Sequence, residues 1–515
     1  MPWVRSSALL PLPLLAGLAA CFVDPGLETA TAEATSSTSA DPTTTSTATA
    51  TSTSTSTSTS TSTSTSTSTA GDTETGEPIT STTDPPAACG DGVVQPPEAC
   101  DDGPVNAAHG LAACRPDCQL PACGDGSLYL GPLGAPVQVA TVNFAGMLAD
   151  DTPRPLALLD SGPAGVVWES AGGGGIFLQN VLADDTLDAP PLRIDTTAGD
   201  FYRDAVIATD DLARVVIAWE TGSASDRNIR LRRYAFGDVG DTDPADRLAH
   251  PLDPGDQTSP SLAFDGDGAV LLAYLSQPGA NQPTQVFVRR IPPGDPALAP
   301  PPVQVSLHAG GSATPPILAR APDGAAVVAW GDPDGPIVYR RLAAGAPQGL
   351  VVASDLSPGR GGSVLSSLPF TSAALAPGGA LRLAGVVEDN SGLHLAVQPF
   401  GPDDQPAAPV VVTAAPVALI PYLDLAADAA GNLALAWTEC GDPNEQLSSC
   451  QNIPARTKAR WLYADLTPAG PPADVGATTA TPSVAAVRMT TDGQVTLAYR
   501  EVAQIYLRRA VLDCP

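Results

Sequence analysis

The chain has 515 residues, a formal net charge of −30 and a sequence pI near 4.2, with 25 basic side chains against 55 acidic ones. This balance excludes nucleic acid as the expected partner, because a phosphate backbone requires basic patches. Gly (48) and Pro (54) are abundant, whereas aromatic residues make up only 5%. We therefore expect many turns, few long helices and a core built from Ala, Val and Leu.

Residues 1–21 have the features of an export signal. A weakly basic start precedes the apolar stretch Ser6–Ala20, which is too short to span a bilayer as a helix. The segment ends in LAAC at Cys21, which resembles the bacterial lipobox. The resemblance implies cleavage before Cys21, diacylation of its thiol and a lipid-anchored, exported chain. Phe22 stands where an acidic inner-membrane retention signal would be, so the outer membrane or cell surface is expected. An ordinary secretory signal with a chance cysteine is the alternative.

Residues 22–87 are predicted to be a disordered linker. From about Glu28 the composition collapses to Thr, Ser, Ala and Pro, with strict Thr-Ser alternation over Thr51–Thr69. Such a segment cannot bury a core, and a flexible coil of about 60 residues has a mean reach of roughly 45 Å. We expect a spacer that holds the folded part away from the membrane.

Residues 88–126 are rich in cysteine and in Asp-Gly pairs, beginning CGDGVVQPPEACDDG. The segment resembles the small cysteine-rich repeat of myxobacterial surface proteins, and a second, truncated copy begins at Cys123. A module this small needs disulfides to fold. Three pairings are open for its first four cysteines, which are Cys89, Cys100, Cys114 and Cys118. With Cys21 lipidated, the other eight of the nine cysteines can all pair.

Acidic side chains lie close to these cysteines. Asp91, Asp101 and Asp102, together with Glu98, form the kind of oxygen-rich group that can hold calcium. Asp-Gly pairs are equally typical of turns. We expect turns here and no cofactor, with calcium as the alternative.

From residue 136 to residue 515 one pattern of short strands recurs seven times. Its second strand ends near an aromatic residue, and the copies are spaced by 50 to 62 residues. The positions are Trp168, Trp219, Tyr274, Trp330, Val387 (in the degenerate copy LAGVVED), Trp437 and Tyr499. Four short strands per unit of about 50 residues are typical of β-propeller blades, whereas immunoglobulin-like sandwiches need about 100 residues. The sequence predicts an all-β, seven-bladed β-propeller.

The ends of this region suggest how the ring closes. The last copy stops after its third strand at Leu512, and a spare strand, PVQVATV, begins at Pro136. We expect the spare strand to complete the last blade and remove an open edge. That arrangement predicts a disulfide between Cys123 and Cys514, and Cys440 is predicted to pair locally with Cys450.

Carboxylates follow the aromatic position in most copies. They are Glu169, Glu220, Asp332, Glu388, Glu439 and Glu501. In a propeller they would share one face, where a ring of carboxylates could bind cations or basic partners. The alternative is that they only solvate strand ends. Paired arginines at the ends of third strands are expected to cap those strands or to pair with the carboxylates.

No catalytic motif stands out. The chain has no sialidase-type Ser-x-Asp-x-Gly-x-Thr-Trp repeat, no Gly-x-Ser-x-Gly elbow and no His-Glu-x-x-His motif. We therefore expect a non-enzymatic surface protein whose propeller binds a protein or a glycan. A sialidase-like or glycosidase-like hydrolase is one alternative, because paired carboxylates could be present in space. A structural envelope protein without a specific ligand is the other.

Overall fold

The structure of the chain is a computed structural model. The structure describes residues 89–95, 98–101, 114, 118–119 and most of 130–512. Gaps in the last range fall at 142–154, 171–173, 197–201, 224–225, 237, 242, 252–254, 266, 280–281, 295, 307–312, 322, 332–334, 344, 358–370, 390–391, 414, 417–418, 441–453, 477–484 and 502. The predicted signal peptide, Cys21 and the linker lie outside the described residues. Within those ranges, no helix is long and apolar enough to cross a membrane.

Seven antiparallel sheets form the blades of a β-propeller, which confirms the predicted fold. The first strand of each blade is innermost. These are β3 (Leu156–Leu158), β7 (Tyr202–Thr209), β12 (Asp256–Phe264), β16 (Ile317–Arg320), β20 (Ser372–Leu375), β24 (Leu419–Ala427) and β28 (Ala485–Met489). The second strands are β4 (Ala164–Ser170), β8 (Arg214–Ser223), β13 (Val270–Gln277), β17 (Ala326–Gly331), β21 (Leu381–Asp389), β25 (Leu433–Cys440) and β29 (Val495–Glu501).

The third strands are of similar length, and most of the outer strands are short. Third strands are β5 (Gly175–Val181), β9 (Asp226–Ala235), β14 (Gln285–Ile291), β18 (Ile337–Ala343), β22 (Gly392–Phe400), β26 (Ala455–Leu462) and β30 (Gln504–Leu512). Outer strands of the first six blades are β6 (Leu192–Arg193), β10 (Asp238–Asp241) with β11 (Arg247–Leu248), β15 (Val303–Gln304), β19 (Ala346–Ala353), β23 (Val410–Val411) and β27 (Ala473–Asp474). Short 3-10 helices occupy Pro296–Leu298 and Pro377–Gly379.

The ring closes as predicted. The seventh blade takes its outer edge from the start of the propeller region, where β1 (Leu130–Leu133) and β2 (Val137–Thr141) both pair with β30. Val137 lies opposite Leu507, and Leu130 lies opposite Leu512. The blade therefore begins upstream of Pro136, and Cys123 and Cys514, the predicted clasp, lie outside the described residues.

The core of the described propeller consists of apolar clusters, one between each pair of neighbouring blades. Trp219, Trp330 and Trp437 are almost completely buried in three of them. Each packs against the preceding blade, so these aromatic residues stabilise blade-to-blade contacts.

In the fifth blade, the assignment of Val387 to the aromatic position is wrong. Its register pairs Ala384 with Ser372, as Ala273 pairs with Ser261 in the third blade. Gly385, and not Val387, therefore occupies the aromatic position. A Cβ there would lie 2.5 Å from Ile337 Cδ1 and 2.8 Å from the Ser357 carbonyl oxygen. The fourth blade thus fills the space that an aromatic ring takes elsewhere.

One position on the third strands joins six of the seven blades to the preceding blade, and we call the side chains at this position the latch residues. The exception is Gln179 in the first blade, which donates to Asn180 and Ala189 of its own blade. Arg289 shows the pattern. It is 3% exposed and donates to the carbonyl oxygen of Ala249, just after the outer strand of the second blade, at 2.8 Å. The same register position holds Gln179, Arg232, Arg289, Arg340, Gln398, Arg460 and Arg508. The arginines of this set all donate to the carbonyl that follows the preceding blade's outer strand.

The second arginine of several pairs contacts the following blade. Arg341 donates to the Gly401 carbonyl at 2.9 Å and to Asp404 Oδ1 at 2.6 Å in the fifth blade. Arg509, in the last blade, donates to the Leu182 carbonyl of the first blade at 2.9 Å. Three of the four arginine pairs therefore join neighbouring blades through their second member.

Replacement of Arg289 by Ala should lower the free energy of unfolding by about 3 kcal/mol, because it leaves several buried carbonyl groups without a donor. Besides Ala249, Arg289 donates to the carbonyls of Pro296, Ala299 and Pro300 at 2.9 to 3.0 Å. Arg289→Gln should lose less, since two blades use glutamine at this position. Urea denaturation monitored by tryptophan fluorescence measures both, and equal losses in the two variants would contradict the latch role.

The cysteine-rich segment selects one of the three open pairings. Cys89 is bonded to Cys118, and Cys100 to Cys114. Cys440 is also disulfide-bonded, while Cys450, its predicted partner, lies outside the described residues.

Candidate functional site

The carboxylates selected from the sequence lie at the ends of second strands, on the face that carries the loops between second and third strands. Glu388 is exposed, whereas Glu169 and Glu501 are partly buried. Glu439 pairs with Lys458 Nζ at 2.5 Å and accepts a hydrogen bond from Trp437 Nε1 at 3.0 Å. Asp332 lies outside the described residues.

These carboxylates do not form one continuous ring, because neighbouring residues of a strand point to opposite faces of its sheet. Glu220 directly follows Trp219 and faces the third blade, where its Oε1 accepts a hydrogen bond from the Ser259 amide at 2.5 Å. Glu439 follows Trp437 by two residues and faces the preceding blade with it. The carboxylates therefore enter different blade interfaces.

Burial changes the chemistry of the tyrosine beside Glu501. Burial raises the pKa of Tyr499 to about 12, and the nearby Glu501 carboxylate adds to this effect. The Tyr499 hydroxyl therefore stays protonated at neutral pH and can only act there as a neutral donor or acceptor.

Glu220 belongs to a group of polar side chains between the second and third blades, which we call the Glu220 cluster: Asp204, Glu220, Arg227, Asp256 and Gln257. Arg227 donates to Asp256 Oδ2 through Nε at 3.1 Å and Nη2 at 2.8 Å, and its backbone amide donates to Asp256 Oδ1 at 3.1 Å. Arg227 Nη1 lies 3.6 Å from Glu220 Oε2, which is an ion-pair distance. One guanidinium thus contacts carboxylates from two blades.

Gln257 supplies an amide to the same interface. It pairs with Ser276 across β12 and β13, which places it on the sheet face that Tyr274 presents to the second blade. Its side chain is fully buried, and neither of its polar atoms has a hydrogen-bond partner among the described residues. Glu220 Oε2 likewise lacks a hydrogen-bond donor there. A buried polar atom without a partner is costly, so both groups have unused capacity for a polar ligand.

The backbone around the cluster is strained. Asp204 and Ser259 adopt φ values of 55° and 53° at irregularities of the two inner strands. Such conformations cost free energy in residues other than glycine, and they concentrate at functional sites.

The five residues of the cluster carry three carboxylates and one guanidinium, a formal sum of −2. Arg203 lies opposite Glu220 across β7 and β8 and reduces the local sum to −1. Burial alone would lower the pKa of Arg227, but the carboxylates of Glu220, Asp256 and Asp204 raise it above its usual value. The side chains of Arg227 and Asp256 are 26% and 14% exposed, so solvent reaches the cluster at these two residues. The arrangement can accept hydrogen bonds strongly and can hold a positive charge.

The acidic residues of the cysteine-rich segment serve its backbone. Asp101 Oδ2 accepts hydrogen bonds from the amides of Gly90, Asp91 and Gly92 at 3.0 to 3.1 Å. Glu98, Asp101 and Cys118 bring ligand-type atoms within 4.8 Å of one another, but Cys118 is consumed by its disulfide. The hydrogen bonds of Asp101 to successive backbone amides are typical of turns. Asp102, the third predicted calcium ligand, lies outside the described residues.

A cavity of about 330 Å³ lies on the ring axis, lined by the ends of all seven first strands. These ends are opposite to the face that carries the Glu220 cluster. Much of the wall is Ala and Leu. Several of its polar groups are already engaged, as Asp160 accepts the Thr491 amide at 2.9 Å and Arg488 pairs with Asp424 at 2.7 Å. The Glu220 cluster offers more unused hydrogen-bonding capacity.

Sequence reasoning found Glu220 but missed the other four members of the cluster. Arg227 and Asp256 are separated by 29 residues, and only the contact between blades brings them together. No local pattern reports this contact: Asp256 opens β12 after the Trp219-Glu220 pair, but β7, which follows the Trp168-Glu169 pair, opens on Tyr202.

Comparisons with known proteins concern the fold. No protein-family model matches the sequence, and no curated protein matches it. An ulvan lyase from a new family of polysaccharide lyase, bound to -[GlcA(1-4)Rha3S]-, is 9% identical; the match covers 74% of this chain and 96% of that one, with a TM-score of 0.43. The polysaccharide lyase Uly1 is 11% identical, with 74% and 100% covered and a TM-score of 0.45. The Hadza microbial sialidase Hz136 is 13% identical, with 66% and 74% covered and a TM-score of 0.38.

The expectation that the chain is not an enzyme is contradicted by these matches, since the similar folds belong to polysaccharide lyases and a sialidase. The expectation of a non-enzymatic protein is therefore withdrawn. At such identities and TM-scores, the likeness transfers no residue role, activity or substrate to this chain. The propeller resembles those of proteins that process polysaccharides and glycans.

Proposed function

We propose that the chain is an exported lipoprotein, anchored through Cys21, whose propeller binds a glycan at the Glu220 cluster. The observation that supports glycan binding is the composition of the cluster itself. Its Asp256 carboxylate and Arg227 guanidinium are partly exposed. Glu220, at ion-pair distance from Arg227, and Gln257, buried in the same blade interface, have unused hydrogen-bonding atoms. Carboxylate, guanidinium and carboxamide groups suit the hydroxyl groups of sugars, which both donate and accept hydrogen bonds.

The distribution of exposed apolar side chains favours a glycan over a protein. A protein interface has an apolar core. Among the described residues, the large exposed apolar side chains lie on outer strands, on the opposite face or in the cysteine-rich segment. They are Val93, Val94, Leu187, Leu212, Leu298, Val303, Leu350 and Val411. None of them adjoins the cluster along its strands.

Cleavage of the bound glycan is the second candidate function. Glycoside hydrolysis uses a pair of carboxylates that flank the scissile bond. Glu220 and Asp256, from different blades, contact the same guanidinium, so the cluster contains such a pair of residue types.

Glycan binding is tested with the full chain on a glycan array, with reducing-end release measured for every ligand that binds. Gln257→Leu should weaken binding at least tenfold, because it keeps the approximate size of the side chain and removes both unused hydrogen-bonding atoms of the amide. Asp188→Asn, an exposed position on the opposite face, is the matched control and should bind normally. Binding that is unchanged in Gln257→Leu would exclude this site, and release of reducing ends would establish the second candidate.

The lipid anchor is tested by growing cells with a radioactive fatty acid. The wild-type chain should be labelled and Cys21→Ala should not, because the thiol of Cys21 is the predicted acceptor. Equal labelling of the two chains would reduce the segment to a plain secretory signal.

A further inference from the structure

We propose that the Glu220 cluster recognises the ammonium group of a deacetylated amino sugar, so that the glycan bound by this propeller is cationic. This inference rests on the proposed function and names the substrate class of that site. It is carried by the charge of the cluster, by its shortage of hydrogen-bond donors and by the way Arg227 is already engaged.

The charge of the cluster favours a cation. Asp204, Glu220 and Asp256 bring three negative charges and Arg227 one positive charge. Glu220 is fully buried, so water does not screen its charge as it would at the surface. With Arg203, which lies opposite Glu220 across β7 and β8, the formal sum is −1. An ammonium group would bring it to zero, whereas a carboxylate or a sulfate would make it more negative.

The hydrogen bonds of the cluster also favour an ammonium group as the ligand. Glu220 receives one hydrogen bond, from the Ser259 amide, and its Oε2 receives none among the described residues. An ammonium group carries three N–H donors and a positive charge, which is the combination that a buried carboxylate with few donors lacks. Gln257, with both amide atoms unused, can hydrogen-bond to a neighbouring hydroxyl of the same sugar.

Arg227 does not offer an anion site. Its Nε and Nη2 both donate to Asp256, which leaves only Nη1, and Nη1 is turned toward Glu220 at 3.6 Å. A ligand carboxylate would have to compete with two carboxylates of the protein for this guanidinium. An ammonium group instead meets the exposed edge of Asp256 first and shares the carboxylates with Arg227.

The charge of the whole chain acts in the same direction at longer range. A net charge of −30 attracts cationic oligosaccharides and repels anionic ones, and salt screens this attraction over about 10 Å at 0.1 M. We therefore expect affinity for the cationic ligand to fall as ionic strength rises.

The test is titration calorimetry of the full chain with three tetrasaccharides: fully deacetylated glucosamine, its N-acetylated form and a uronic acid. The glucosamine tetramer should bind at least tenfold more tightly than either of the others. Glu220→Gln, which keeps the shape of the side chain and removes its charge, should cancel this preference. Asp256→Asn should also weaken it, and Asp188→Asn should leave it intact.

The outcomes separate the inference from the proposed function. Equal or tighter binding of the acetylated or acidic tetramer overturns the inference and leaves glycan binding in place. If no glycan of any class binds, both fall. If Glu220→Gln does not fold, Asp256→Asn at the exposed edge decides, and an unchanged preference in that variant overturns the ammonium site.

Discussion

A chain that lacks residues 130–141 should lose about 5 kcal/mol or more of its free energy of unfolding, a large share of what a typical domain has. The deletion removes β1 and β2, and with them the outer edge of the seventh blade. It also removes Val139, 3% exposed between the last and first blades, and the Gly134 carbonyl that accepts from Arg508 Nε at 2.8 Å. The ring would then end in an open strand edge.

Urea denaturation compares this deletion with the intact chain. The matched control removes twelve residues from the Thr-Ser repeat Thr51–Thr69, which lies outside the propeller in sequence and should leave the midpoint unchanged. If both deletions leave the midpoint where it was, strand closure contributes nothing measurable to the ring.

Replacement of Asp424 by Ala should cost about 4 kcal/mol, because it leaves Arg488 without its partner in a largely buried position. Asp424 is fully buried in β24 and accepts hydrogen bonds from three groups. These are Ser372 Oγ at 3.0 Å, the Val487 amide at 3.0 Å and Arg488 Nη1 at 2.7 Å. They come from the fifth and seventh blades, so one carboxylate connects three blades.

A double-mutant cycle isolates this contribution. Asp424→Ala combined with Arg488→Ala should cost clearly less than the sum of the two single changes, because the second removes the charge that the first leaves unpaired. Asp188→Ala, at an exposed position, should change stability by less than about 0.5 kcal/mol. Additive costs for Asp424 and Arg488 would show that the two side chains are not coupled.

The number of blades and the closure could be predicted from the sequence because both depend on a local pattern. Each blade carries its own strands and turns, and Gly324 and Gly493 take the left-handed φ values of 91° and 93° at Asp-Gly turns. The prediction that Val387 occupies the aromatic position of the fifth blade was wrong for a physical reason. Val387 and Gly385 differ by two residues, and a shift of two preserves which side chains face each side of a strand. The apolar pattern fits both registers.

The candidate site could be predicted only in part. A carboxylate after an aromatic residue is visible in the sequence, but the blade interface that it enters depends on a difference of one residue, as Glu220 and Glu439 show. The partners of Glu220 lie on another blade and on the following strand, at sequence distances that no local pattern reports. Four of the five latch arginines are visible in the sequence as members of Arg-Arg pairs. Their acceptors are backbone carbonyls of the preceding blade, which carry no sequence signature.

The latch residues also bear on how such a gene can change. Each latch arginine reaches only the adjacent blade, and the closure uses only the two ends of the propeller region. Unequal recombination that adds or removes one complete repeat from the interior would therefore preserve the latch type of contact between neighbours and the joint between the last and first blades at Arg509. The same event at either end would separate β2 from β30. Ring size is open to evolutionary change in the middle of this gene and constrained at its ends.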